Sequence, residues 1–130
     1  MRRIKRSEEG QALVEFALVA PLLFLILFGI VQFGIAFMNS VALTDAVRAG
    51  ARKAAVSRTA ADPTAATKNA VLGAATDLDA SKLSQGITVT STWQSGSNVT
   101  VQAVYPYSIN LLGIVVASGN LHSSTTERVE

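Results

Sequence analysis

Glu15 is the side chain whose position most needs a chemical reason. It stands at the edge of an apolar run, Phe16 to Met38, that is 23 residues long and carries no charge. A charge at mid-bilayer costs about 2.5–3.5 kcal/mol on insertion scales, so a carboxylate at membrane depth calls for a cation beside it. A boundary residue that snorkels to the headgroups is the alternative reading. Five positions earlier stands Gly10, behind the basic tail Met1–Arg6 (MRRIKR). The other candidates carry less. His122 is the single histidine, with no Asp, Glu or Cys near it in sequence, and reads as a surface strand residue. Asp77 and Asp79 read as turn and helix-end residues rather than as an acid/base pair. Asn98-Val99-Thr100 fits a glycosylation pattern but lies in a predicted hairpin. There is no cysteine, which leaves no disulfide framework and no Cys-based metal site. The sequence therefore predicts no catalytic residue, no cofactor and no metal: not an enzyme. A net charge of +2, scattered beyond the first six residues, gives no footprint for nucleic acid.

These groups must be placed by the apolar run itself. At about 1.5 Å per residue it reaches roughly 35 Å, enough to cross a hydrocarbon core of about 30 Å. We expect a transmembrane helix over residues 16–38, interrupted in composition by Pro21, Gly29 and Gly34 and with Gln32 as its one hydrogen-bonding side chain. Arg48, Arg52, Lys53 and Arg58 match the four cations of the tail, so the positive-inside rule does not fix orientation. A signal peptide cleaved near Ser40-Val41-Ala42 competes, but signal h-regions run about 7–15 residues. Helical patterning continues to about residue 58. Ala42, Ala46, Gly50 and Ala54 recur every fourth position as a packing face of small residues, beside a charged face of Asp45, Arg48 and Arg52. That face contacts either the chain's own domain or a neighbouring subunit, and the reading favours the former.

Residues 59–130 read as a small α+β domain. All five Phe residues lie in the apolar segment, so this domain has few large side chains and is expected to lean on the long helix for its core. Thr59 to Asp62 breaks the helix, and Asp62-Pro63 is an N-cap followed by a residue pre-organised for the first turn. A helix over 63–78 follows, presenting Ala66, Ala70, Ala74 and Leu78 with Val71 alongside. From Gly86 the period becomes two: Ile87 to Trp93 and Val99 to Tyr105 predict antiparallel strands joined by a Gly/Ser loop. Pro106 is expected to end the second, since it cannot donate to a ladder. Ile109 to Ala117 is expected as a core-docking turn or short helix, and Leu121, Ser123 and Thr125 as a third strand.

The stretch Gly10-Gln-Ala-Leu-Val-Glu15-Phe16, followed by the long apolar run, resembles the class III signal of type IV pilins. More narrowly, EGQALVEFALVAPLLFLILFGIVQFG is similar to the TadE-like pseudopilins of the tight-adherence (Flp) pilus. The resemblance implies a pilin-like fold, a long N-terminal transmembrane helix continuing into a short helix packed on a small antiparallel sheet. It also implies a leader, residues 1–10, cleaved after Gly10 by a prepilin peptidase that reads extended backbone there. Gln11 becomes the mature N-terminus, and Glu15, now the fifth residue, meets the ammonium on Gln11 of a neighbouring subunit. Implied partners are that peptidase, other pilins and pseudopilins, the inner-membrane assembly platform and membrane lipid. The implied location is the bacterial inner membrane, with the domain outside the cytoplasm, and incorporation into a pilus. Gln32 stands where many relatives carry Glu, which removes a second membrane carboxylate. The competing reading is an unprocessed single-span protein whose small domain binds an envelope partner or ligand.

Overall fold

The computed structural model describes residues 4–130, with side chains from Gly10 onward. Met1–Arg3, and the side chains of the basic tail as a whole, lie outside the described residues.

One helix, α1 (Ile4–Ala55), dominates the chain and continues through Pro21. It begins before residue 11, so Gly10 is helical rather than extended. It also ends three residues before the expected 58, for a local reason. The Ser57 hydroxyl donates to the Lys53 carbonyl at 2.6 Å, taking the acceptor that the Ser57 amide would use in a continuing helix. That amide turns instead to the Ala54 carbonyl at 3.1 Å, a tighter bond that closes the last turn. Arg52 and Lys53 lie in this turn, where cations complement the helix dipole.

Helix α2 (Pro63–Ala74) starts as its sequence directs, with the Asp62 carboxylate accepting from the Ala65 amide and Pro63 in the first turn. It stops four residues short of the expected 78, and its buried face is displaced by one position. Thr67, Val71, Ala75 and Leu78 are buried, whereas Ala74 is exposed. Thr67 tolerates burial because its hydroxyl donates to the Pro63 carbonyl at 2.8 Å. A short helix not foreseen from the sequence, α3 (Ala80–Ser84), follows, capped by Asp79.

The sheet has three antiparallel strands in the order β1-β2-β3: β1 (Thr88–Ser91), β2 (Asn98–Leu111) and β3 (Ile114–Arg128). The alternation seen in the sequence is the alternation of faces: Val99, Val101, Ala103 and Tyr105 point into the core. Two expectations fail here. Pro106 does not end β2, which runs five residues further. Val104, two positions earlier, directs its amide to the Gly86 carbonyl on the β1 side, so the Pro106 nitrogen faces that same side, beyond the pairing of β1. No ladder bond is lost there, and proline is tolerated where the donor would go unused. Ile109 to Ala117 is neither a docking turn nor a helix but the far end of a long hairpin, with Leu111 paired to Ile114 and a bulge at Ile109/Asn110. Its two central residues, Leu112 and Gly113, both have positive φ, as a type I′ turn requires.

The core lies between α1 and the rest. Leu43, Ala46, Val47, Ala51 and Ala54 of α1 pack with Val71, Leu83, Val99, Val101 and Val129. The C-terminus is tied to the end of α1 by the Glu130 amide, which donates to the Ala55 carbonyl at 2.9 Å.

Candidate processing and assembly site

The expected site residues fall in two groups on α1. Gly10, Gln11 and Glu15 lie at its exposed N-terminal end. The spacing of four puts Gln11 and Glu15 on one face, and the Gln11 side-chain amide donates to the Glu15 carboxylate at 3.1 Å. Among the described residues Glu15 has no ion pair; the two salt bridges are Arg48–Asp45 and Lys82–Asp79. Among the described residues, nothing beyond its own turn of helix comes within 4 Å of where a Cβ on Gly10 would sit. Being helical, it would have to unwind before a peptidase could read extended backbone. A glycine in a helix interior is about 1 kcal/mol less favourable than alanine, so unwinding costs least at this residue.

From Leu13 to Met38 the large apolar side chains of α1 are exposed, from 46% at Phe28 to 74% at Leu18. Among the described residues this is the one helix long and apolar enough to cross a membrane. A helix apolar around its whole circumference has no polar face to give to water.

Beyond Met38 the character changes. Ala46, Gly50 and Ala54 are buried and Ala42 is half-buried, all turned toward this chain's own α2 and sheet. Gly50 is the closest point: a Cβ there would overlap Val71 Cγ2. Gln32, the polar residue of the apolar run, faces a cleft shared with Asn39, Lys82, Tyr105 and Tyr107. This grouping could not be read from the sequence, because it depends on α3 and on β2 continuing past Pro106.

The lesser candidates hold no site. His122 is exposed on the outer face of β3. Asp77 lies in a turn, and Asp79 caps α3 through the Ser81 amide at 2.9 Å. The Ser81 hydroxyl, and then its amide, hold the Asp79 carboxyl below the usual aspartate range. Among the described residues no cluster of three His, Cys, Asp or Glu is arranged to hold a metal.

The exposed apolar helix headed by Gly10 and Glu15 coincides with a family signature: the model of the TadE-like protein family matches residues 10–52. This segment is TadE-like. The match supports the resemblance to TadE-like proteins of the Tad/Flp pilus system, a family of structural rather than catalytic pilus components. The TadE-like stretch is the larger part of α1 and leaves the sheet outside it. No curated protein and no solved structure matches the chain.

Proposed function

We propose that this chain is a minor pseudopilin, a structural subunit that is stored in the membrane and enters or primes a thin pilus of the tight-adherence type. The observation that carries this reading is the placement of Gly10, Gln11 and Glu15 at the head of an exposed apolar helix, within the TadE-like match. On this reading α1 spans the bacterial inner membrane and the domain sits outside the cytoplasm. A prepilin peptidase removes residues 1–10. The new ammonium on Gln11 then pairs with Glu15 of an adjoining subunit; opposite charges attract strongly in a low-dielectric setting, and one left unpaired is costly. Other pilins and the inner-membrane assembly platform are the partners. The burial of Ala46, Gly50 and Ala54 against the chain's own domain leaves the N-terminal half of α1 as the surface for subunit contact. Neither catalysis nor a cofactor enters this reading.

One observation favours the alternative, an unprocessed single-span protein whose domain binds an envelope partner: α1 runs without a break through Gly10 to Ile4. The intact mass of protein purified from native membranes distinguishes the two. A mature chain starting at Gln11 is expected; a chain retaining Met1 supports the alternative; a start near Leu43 marks a secreted domain and overturns both.

A further inference from the structure

The turn of the β2–β3 hairpin exposes a cluster of large apolar side chains with nothing packed on it. Leu112, Ile114, Val115 and Val116 are 54–77% exposed. Leu112 also has a positive φ of 52°, a conformation that suits Asn or Gly and strains most other residues. A strained residue that keeps its apolar side chain in the open is an outlier in need of a function.

The hairpin's direction supplies one. Its base is fixed at the C-terminal end of α1, where Glu130 bonds to Ala55. Further along, Tyr107, Ile109 and Leu121 line one open cleft with Phe33, Phe37 and Ser40. From Leu121 to Val129 the strand rises about 26 Å at 3.3 Å per residue, and from Phe37 to Ala55 the helix rises about 27 Å at 1.5 Å per residue. Strand and helix thus run side by side, and the turn projects toward the N-terminal half of α1. Leu112 lies about 16 Å beyond Tyr107 on the strand scale, a distance that α1 covers in about ten residues. The turn therefore comes level with the apolar segment. Charge follows the same axis. No Asp, Glu, Lys or Arg occurs between Lys82 and Glu127. Lys82 and Tyr107, beside Gln32, form a polar and aromatic belt of the kind found at membrane interfaces.

We propose that the hairpin turn, Leu111–Val116, docks into the lipid leaflet on the domain's side of the membrane, with the Lys82 and Tyr107 level at the headgroups. The hairpin then fixes the tilt and height of the domain over the bilayer as a second anchor beside α1. Unpaired strand edges are not stable in hydrocarbon, so the strands beyond Tyr107 lie obliquely along the headgroup layer and only the turn and its side chains enter the acyl region. The proposal rests on the membrane-spanning part of the reading above and not on leader cleavage or pilus entry, so a chain found to retain Met1 leaves it intact.

The chain has no cysteine, so single-cysteine labelling of the full-length protein is clean. Val115→Cys, Ser95→Cys and Leu23→Cys, each carrying an environment-sensitive fluorophore, are reconstituted in phosphatidylethanolamine/phosphatidylglycerol vesicles. Quenching by nitroxide on the upper acyl chain is compared with quenching by iodide in water. The Val115 and Leu23 probes are expected to be quenched by lipid and protected from iodide several-fold relative to Ser95. Adding Leu112→Asn, which suits the turn but removes its apolar side chain, is expected to lower lipid quenching at Val115 and leave Leu23 unchanged. A Val115 probe that behaves like Ser95 while Leu23 is quenched by lipid overturns the proposal. Iodide protection at Val115 without lipid quenching, rising with protein density, assigns the patch to a second copy and also overturns it. Loss of lipid quenching at Leu23 overturns the spanning reading, and the hairpin proposal with it.

Discussion

At the scale of single residues, the proposed function makes Glu15 the position that separates anchoring from assembly. The fifteen Leu, Ile, Val and Phe residues between Phe16 and Met38 contribute very roughly −4 to −9 kcal/mol on the insertion scale, so insertion does not depend on the carboxylate. What depends on it is any cation brought to that depth by a neighbour. Glu15→Gln keeps the shape and can still accept from the Gln11 side chain, which now donates to Oε1, but it removes the charge. The expected product is processed and membrane-bound yet enters pili poorly, measured as the ratio of sheared-pilus to membrane pools by immunoblot. Glu15→Asp is expected to be milder, limited by reach. A ratio equal to the parent's in Glu15→Gln would make Glu15 a boundary residue only. Asp79 gives a second test at this scale. Its carboxyl is held below the usual range chiefly by the Ser81 hydroxyl, then by the Ser81 amide. A folded-state pKa that is lowered adds stability above the unfolded value, and that stability is lost as pH falls through the folded one. Protection of the α3 amides, corrected for the intrinsic pH dependence of exchange, is therefore expected to fall as pH drops from the ordinary aspartate value to below the lowered one. Asp79→Asn should flatten that dependence.

At the scale of elements, the contact of α1 with α2 turns on Gly50. A Cβ added there would overlap Val71 Cγ2, and valine in a helix is held to one strongly preferred rotamer, so it cannot swing away freely. Gly50→Ala is expected to destabilise by about 1–3 kcal/mol, the usual range for overpacking. Val71→Ala should also destabilise, but the double variant should lose less than the two single losses combined, measured by thermal unfolding of the full chain in detergent. Additivity would mean that the helices separate rather than clash. The recurrence of Ala46, Gly50 and Ala54 at the helical period was visible in the sequence, which left open whether that face meets this chain's own domain or a neighbour. So were the three strands, from alternation, and the start of α2, from Asp62-Pro63. Other features were not legible, and three of them have a clear physical reason. The buried face of α2 includes Thr67, whose hydroxyl finds a carbonyl within its own helix, so polarity misled by one position. Proline at 106 stops a strand only where its missing donor would have been used, and that depends on how far β1 extends. The turn at Leu112-Gly113 lacks the Asn-Gly signal that marks most type I′ turns, so a hairpin end looked like a short core segment. At the N-terminal end, the helical state of Gly10 was missed, because the resemblance implied extended backbone there.

At the scale of the whole molecule, α1 supplies one side of the domain's core. Of the largest fully buried side chains, Leu43 and Val47 come from this helix, and they meet Val71, Leu83, Val99, Val101 and Val129. Burying a Leu or Val side chain contributes about 1.5–3 kcal/mol. Removing Leu43, Val47 and the alanines of α1, and at the same time uncovering Val71, Val99 and Val101, costs an amount comparable to the whole stability of a typical domain, about 5–15 kcal/mol. The C-terminus would lose its tie as well, since Glu130 bonds to Ala55. Residues 60–130 alone are therefore expected to be largely unprotected in hydrogen exchange. Residues 40–130, which restore the packing half of α1 without its exposed apolar half, are expected to protect the amides of Val99 and Val101. Equal protection in the two fragments would show that the sheet holds itself together. The face of Ala42, Ala46, Gly50 and Ala54 would then be free to serve a neighbouring subunit, and the contact surface between subunits would extend past Met38 along the full length of α1.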